Sequence, residues 1–473
     1  MTPTPKCTTW RSRRWLTGVA LATLALIAVI LRSEPSSATA GHAGESTFSN
    51  EHGALGILGL RESDQDNPFF DALGRNGRSC ATCHRPAQGW SITPSELRDR
   101  FDATDGLDPV FRTNDGSNCD GADISTTKKR RRAFSLLLTK GLIRVALDVP
   151  VRAEFDIVDV DDPYRCNAPL PAVSMYRRPL PSANLKFLTA VMWDGRASAP
   201  GRAIREGLVT QVHDAVTGHA QGTPPAAAQV QAIVDFELGL YAAQVQSRSA
   251  GRLDVRTARG GPRTLPREAF CIGINDPLSM LPAMPGVCPS LSGGLDPFVF
   301  SLFRGWTDDE SRQRQAIARG EAIFNTRPFV IDNVAGLNGS ADDPVRRPIQ
   351  NGTCTVCHDT PQAGNHSVPM ALNIGVADAA RRTPDLPLYT LRNRITGDTV
   401  QTSDPGRAMV TGKWKDISKF KGPVLRALAA RAPFFHDGSA ATLADVVRFY
   451  DTRFQARLTE QEKADLIAFL LSL

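Results

Sequence analysis

Apolar and polar positions divide the chain unevenly. The longest uncharged apolar run, Trp15 to Leu31, follows the positive cluster Arg11, Arg13 and Arg14 and precedes Ser36-Ser37-Ala38-Thr39-Ala40. Small residues at Ala38 and Ala40 form an A-x-A cleavage site, so residues 1–40 are expected to be an export signal. The competing reading is an uncleaved anchor, because about 17 apolar residues is the lower limit for spanning a bilayer. Further along, Thr223-Pro224-Pro225 and the run Ala226 to Val245 predict a helix with Thr223 as N-cap and proline in its first turn. Asp308 to Phe324 reads as a helix with Ala316, Ile317, Ala322 and Ile323 toward a core. Thr459 and Glu462 make a capping box that opens an amphipathic helix through Ile467, Leu470 and Leu471. Residues 250–264 read as a mobile loop, and the run Lys128 to Arg132 as a solvated one. No stretch alternates with period two over any length. The expected class is mainly α, with long ordered loops and little β.

Composition narrows the function classes. With 473 residues, 41% hydrophobic and 22% charged, the chain can build a packed core and suits two or three domains. The net charge of +6 looks basic, but residues 1–40 carry +4 of it, leaving +2. That is too little for a general nucleic-acid binder.

The chemistry-bearing motifs are Cys80-Ala81-Thr82-Cys83-His84 and Cys354-Thr355-Val356-Cys357-His358. In C-x-x-C-H both thiols can form thioethers to haem vinyl groups while the adjacent histidine becomes the proximal iron ligand. Zinc or a redox C-x-x-C pair are the alternatives. A histidine directly after both copies, together with export, favours two covalently bound c-type haems. A chain that receives covalent haem after export should cross the membrane unfolded, which sets aside a twin-arginine reading of Ser12-Arg13-Arg14. The mature protein is expected in a periplasm. Cys119, Cys166, Cys271 and Cys288 remain, an even number in an oxidising compartment; proximity suggests Cys119–Cys166 and Cys271–Cys288. The motifs imply an N-terminal haem domain over 41–300 and a C-terminal one over 301–473, both cytochrome c-like.

An electron carrier has both axial positions of each iron filled by protein, whereas a peroxidase leaves one open. Candidates for the sixth positions are His42, His52, His213, His219, His366, Met370, Met409 and Tyr450. Residue type alone does not choose among them.

The chain resembles the bacterial di-haem cytochrome c peroxidase superfamily, including its MauG-like branch, from about Asn67 to Leu473. The likeness rests on the two haem motifs, on Met192-Trp193-Asp194-Gly195-Arg196, on Asp404-Pro405-Gly406-Arg407 through Phe420-Lys421-Gly422-Pro423-Val424-Leu425-Arg426, and on Ala432-Pro433-Phe434-Phe435-His436-Asp437-Gly438-Ser439 with Thr442-Leu443. Residues 95–185 look like an insertion. The resemblance implies that hydrogen peroxide binds at the haem held by His84 and that the haem on His358 relays electrons. Trp193 would lie between the two haems. Tyr450, in the helix after the His-Asp-Gly turn, would be the sixth ligand of the second haem, as in the MauG-like branch. Relatives carry an acid/base glutamate about twenty residues beyond the tryptophan; His213 stands there, and imidazole can shuttle a proton near neutral pH. The family's calcium has no assignable ligands here. Electrons would come from a small cytochrome c, a cupredoxin or an oxidised protein substrate. A di-haem electron-transfer protein without peroxide turnover is the alternative.

Overall fold

A computed structural model describes residues 39–40, 44–166, 172–198, 203–255, 257–275, 295–339, 343, 347–365 and 371–473. The expected export signal up to residue 38, and His42, Cys288, His366 and Met370, lie outside the described residues. No described helix is long and apolar enough to cross a membrane.

The expectation of a mainly α chain with little β is wrong. The chain is 33% helical and 17% strand. Glu45–Asn50 and Gly53–Leu58 form an antiparallel hairpin, and Gly53–Leu58 pairs on its other edge with Tyr241–Ser247, completing a five-stranded sheet with Thr39–Ala40 and Gly251–Arg252. Phe155–Asp161, Leu388–Asn393 and Thr399–Thr402 make a three-stranded sheet, and Ile143–Asp148 pairs with Ala172–Arg177. Two causes hid these strands. Gly53–Leu58 and Ala172–Arg177 are buried at nearly every position, so they read as short apolar runs without alternation. Their pairing is also long-range: Leu391 meets Ile157, and Gly56 meets Ala243.

The predicted helices survive with changed limits. The run after Thr223 is helical only over Ala227–Gly239, with Ala226 as N-cap; the chain then extends at Leu240 and Tyr241–Ser247 becomes a strand. Arg312–Thr326 is a helix capped by Ser311, burying Ile317, Ala318 and Phe324. The capping box at Thr459 and Glu462 opens the helix Glu460–Leu470. These two helices cross at Gly320, where a Cβ would stand 2.0 Å from the Asp465 carbonyl oxygen. Only glycine permits that approach. The basic run is not a loop but the helix Thr127–Ala133, capped by Thr126. In the 250–264 stretch, Leu253 is fully buried and Gly260 packs against it, and Ala250, Leu253 and Ala258 belong to the core around Phe300, Phe303 and Phe469.

The described residues of 95–185 form a module, with helices at Pro94–Thr104, Thr127–Ala133 and Ser135–Lys140 and three strands. The disulfide Cys119–Cys166 ties it, with Cα atoms 5.2 Å apart, as proximity in sequence suggests. Cys271 is also disulfide-bonded. The module's apolar centre, including Phe101, Phe111 and Phe134, packs on Cys83 of the first motif. Cys80 and Ala81 pack on a separate core with Phe69, Trp90 and Phe236. The second motif is served by Phe300, Phe303, Phe324 and Phe469 at Cys354, and by Val356 and Phe454 beside Cys357.

Candidate haem sites

Both C-x-x-C-H motifs fold alike. Cys80–Thr82 and Cys354–Val356 are single 3-10 turns, and the amides of His84 and His358 donate to the carbonyls of Cys80 (3.0 Å) and Cys354 (3.1 Å). Each turn folds the histidine back toward its first cysteine. His84 Nδ1 donates to the Trp90 carbonyl at 2.9 Å and His358 Nδ1 to the Gly364 carbonyl at 3.0 Å, six residues on in both cases. A carbonyl only accepts, so Nδ1 holds the proton and Nε2 keeps its lone pair for a metal. Burial pushes both imidazoles below their ordinary pKa, which keeps that lone pair free. None of the four motif cysteines is in a disulfide, and burial drives the Cys80 and Cys354 thiols up to about 12.

Each motif opens on its own cavity. The first is lined by Cys80, Cys83 and His84 with Leu208, Gln211, Val212, Ala215, Val216 and His219. The second is lined by Cys354, Cys357 and His358 with Phe420, His436, Val447, Tyr450 and Phe454. Trp193, Arg178 and Lys421 belong to the walls of both. The Trp193 indole donates Nε1–H to the Arg178 carbonyl at 2.8 Å, and its own carbonyl accepts from the Lys421 amide at 2.9 Å. Its ring meets His436 edge-on at 6.2 Å, and His436 stacks on Phe420 at 4.1 Å. Asp194, the next residue, is fully buried and bonded to Arg177, whose guanidinium also grips Asp404 at 2.7 and 2.8 Å.

The donor set fits haem. Haem brings two propionates, and the walls offer cations: Arg178 and Lys421 line both cavities and Arg431 the second. Arg178, Lys421 and Arg431 are buried and none pairs with a carboxylate among the described residues. Burial, with the Arg431 charge second, pushes Lys421 down to about 7 and Arg178 to about 9, and burial pushes Arg431 to about 10. Anions placed beside them would remove that penalty. No group of three or more His, Cys, Asp or Glu side chains among the described residues is arranged to hold a metal ion.

Tyr450 lies on the helix Leu443–Phe454, stacked on Phe454, and faces the second cavity; burial first, then the motif cysteines, raise its phenol far above the ordinary value. Met409 is packed in a different core with Phe155 and Leu391 and lines neither cavity. His213 is not brought to the first cavity. It sits on the helix Ile204–Asp214 roughly 140° around from Leu208, at 100° per residue. His219 is the histidine that faces His84 across the first cavity, on the π-helical turn Ala215–His219 that continues the helix. The stripe Leu208, Val212, Ala215, His219, spaced four, three, four, was the signal that could have selected it.

No family model matches the chain. It is 32% identical over 140 residues to the cytochrome-c peroxidase IdrP1 of Pseudomonas sp. (strain SCT), covering 25% of this chain and 36% of that protein. It is 26% identical over 198 residues to the IdrP2 peroxidase of the same strain, covering 37% and 53%. Against the cytochrome c551 peroxidase of Nitrosomonas europaea it is 37% identical over 76 residues, covering 15% and 23%. The chain thus spans about a third of the length of the first of these relatives. A solved MauG-like protein associated with microbial copper homeostasis aligns over 94% of both chains at 16% identity with a TM-score of 0.37, too loose a likeness to argue from. Parts of the chain are thus similar in sequence to bacterial cytochrome c peroxidases.

Proposed function

We propose that the protein is a periplasmic di-haem oxidoreductase of the cytochrome c peroxidase/MauG type that reduces hydrogen peroxide at the first cavity with electrons relayed through the second. The observation that carries this is the pair of C-x-x-C-H turns opening on separate cavities that share Trp193 as a wall. Cys80 and Cys83, and Cys354 and Cys357, would hold the two haems, with His84 and His358 as proximal ligands. The haems supply iron that exchanges electrons with peroxide and with the donor. What the chain supplies is ligation, spacing and a path. Tyr450 stands where it can fill the sixth position of the second site; an anionic, hard oxygen donor stabilises oxidised iron. The first site offers a histidine, His219, and the polar side chains Gln211 and Arg196. Trp193, fixed by main-chain hydrogen bonds on both sides, would carry electrons between the sites. Hydrogen peroxide takes two electrons and two protons to give two waters; the electrons would come one at a time from a small cytochrome c or cupredoxin, or from a protein residue being oxidised.

The alternative is an electron carrier, and His219 is the observation in its favour: in that case His219 closes the first iron. An EPR spectrum of the oxidised, haem-loaded protein separates the two. One high-spin and one low-spin ferric signal is expected. Two low-spin signals in every redox state would overturn the peroxidase reading.

A further inference from the structure

The residues around His219 form a connected unit that the resemblance does not supply. His219 Nδ1 hydrogen-bonds the Asp115 carboxylate, and the other oxygen of Asp115 is paired with Arg78. Asp115 and Arg78 are almost fully buried, with side chains 7% and 4% exposed, whereas His219 is 43% exposed and lines the cavity. The backbone at His219 is pinned as well: its carbonyl accepts from Asn76 Nδ2 at 2.7 Å and from Arg78 Nη1 at 3.3 Å. Arg78 further donates to the carbonyls of Pro109 (2.9 Å) and Val110 (2.6 Å). Arg78 lies two residues before Cys80, and Asp115 belongs to the inserted module. A fixed imidazole therefore rests on both the first haem turn and the insertion.

Building on the reading of the first cavity as the peroxide site, we propose that His219 is the catalytic acid/base there, with Asp115 and Arg78 as positioning residues. Asp115 accepts a hydrogen bond from Nδ1–H, which leaves the Nε2 lone pair of His219 free to take a proton. His219 Nε2 removes a proton from one oxygen of hydrogen peroxide and returns it to the other. The O–O bond breaks as two electrons arrive from the donor protein, and two protons from solvent complete two waters. Gln211 and Arg196, on the same cavity wall, give the small polar substrate further hydrogen-bond partners. A face permanently closed by His219 would have no use for them.

Cyanide association with the oxidised, haem-loaded protein tests this without turnover, because hydrogen cyanide must lose its proton to a base at the open face. His219→Ala is expected to slow association roughly 100-fold, and Asp115→Asn by a smaller factor that Asp115→Glu restores. His213→Ala is expected to leave the rate unchanged. His219→Gln serves if the alanine variant loses haem. An unchanged rate in both His219 variants, or the loss appearing in His213→Ala, overturns the assignment while leaving the peroxide site intact. So does a first haem that is low-spin in the native protein and becomes high-spin in His219→Ala, which would make His219 a ligand. A native protein that binds no cyanide overturns the open site itself, and the assignment with it.

Discussion

Replacing Arg177 with methionine should destabilise the protein by about 4 kcal/mol at neutral pH. Arg177 ends the strand Ala172–Arg177 and its guanidinium is 3% exposed; it binds Asp194 at 2.5 Å and holds Asp404 through two hydrogen bonds of 2.7 and 2.8 Å. Both carboxylates are buried, Asp194 completely. Removing one partner from a buried ion pair costs about 3–5 kcal/mol because a charge is left without compensation. For a chain of this size the unfolding entropy is about 0.9 kcal/mol/K, so calorimetry should show a Tm lower by about 4 °C. Acid distinguishes this cause from lost packing. Burial opposes the charged form of Asp194, but Arg177 and Arg196 outweigh it and hold its pKa below the usual range. The native contribution is therefore full above about pH 4 and lost as pH falls through the depressed pKa. Without Arg177, burial dominates and the Asp194 pKa rises, so the deficit of Arg177→Met should shrink between pH 7 and pH 5. Urea titrations at both pH values measure it. A deficit under about 1 kcal/mol at pH 7, or one that grows on acidification, would refute the reasoning. Adding Asp194→Asn and Asp404→Asn should recover most of the loss.

Tyr450→Phe should change the low-spin EPR signal and its absorption bands while the high-spin signal stays; an unchanged spectrum would remove Tyr450 from the second iron. In a haem-free variant with all four motif cysteines replaced by alanine, Lys421, pushed down to about 7 by burial, should make the protein gain stability as pH rises from 7 toward 10. The unfolded chain keeps a proton there that the folded one has released; urea midpoints should rise with pH, and Lys421→Met should flatten the rise. Gly320→Val should destabilise by about 3 kcal/mol or abolish folding, because a Cβ there meets the Asp465 carbonyl oxygen at 2.0 Å; a near-native urea midpoint would show that the two helices can part.

The cofactor turns were legible because covalent haem attachment demands a contiguous, invariantly spaced pentapeptide, and the Thr459 capping box because its partners are three residues apart. The sheets were not legible. Strand Gly53–Leu58 finds its partner at Tyr241–Ser247, and nothing within Gly53–Leu58 itself announces that pairing. Counting residues from Trp193 singled out His213, but a helix presents side chains by angle, and the cavity face runs through Leu208, Val212 and His219. Asp115 could not have been joined to His219 from sequence, since 104 residues separate them. The elements of the 95–185 segment were not legible because its helices are short and its strand Phe155–Asp161 pairs with distant Leu388–Asn393. Its Arg177 nonetheless reaches Asp194 beside Trp193, and its Asp115 holds His219 in the wall of the first cavity.

Trp193 is held from several parts of the chain at once: by Arg178 near the end of the 95–185 module, by Lys421, and through Asp194 by the Arg177 grip on Asp404. The indole is thus common property, and neither half of the molecule carries its own copy of the supports. A chimera that grafts one half onto a relative would keep a cofactor loop in each piece yet lose the bulkhead between them.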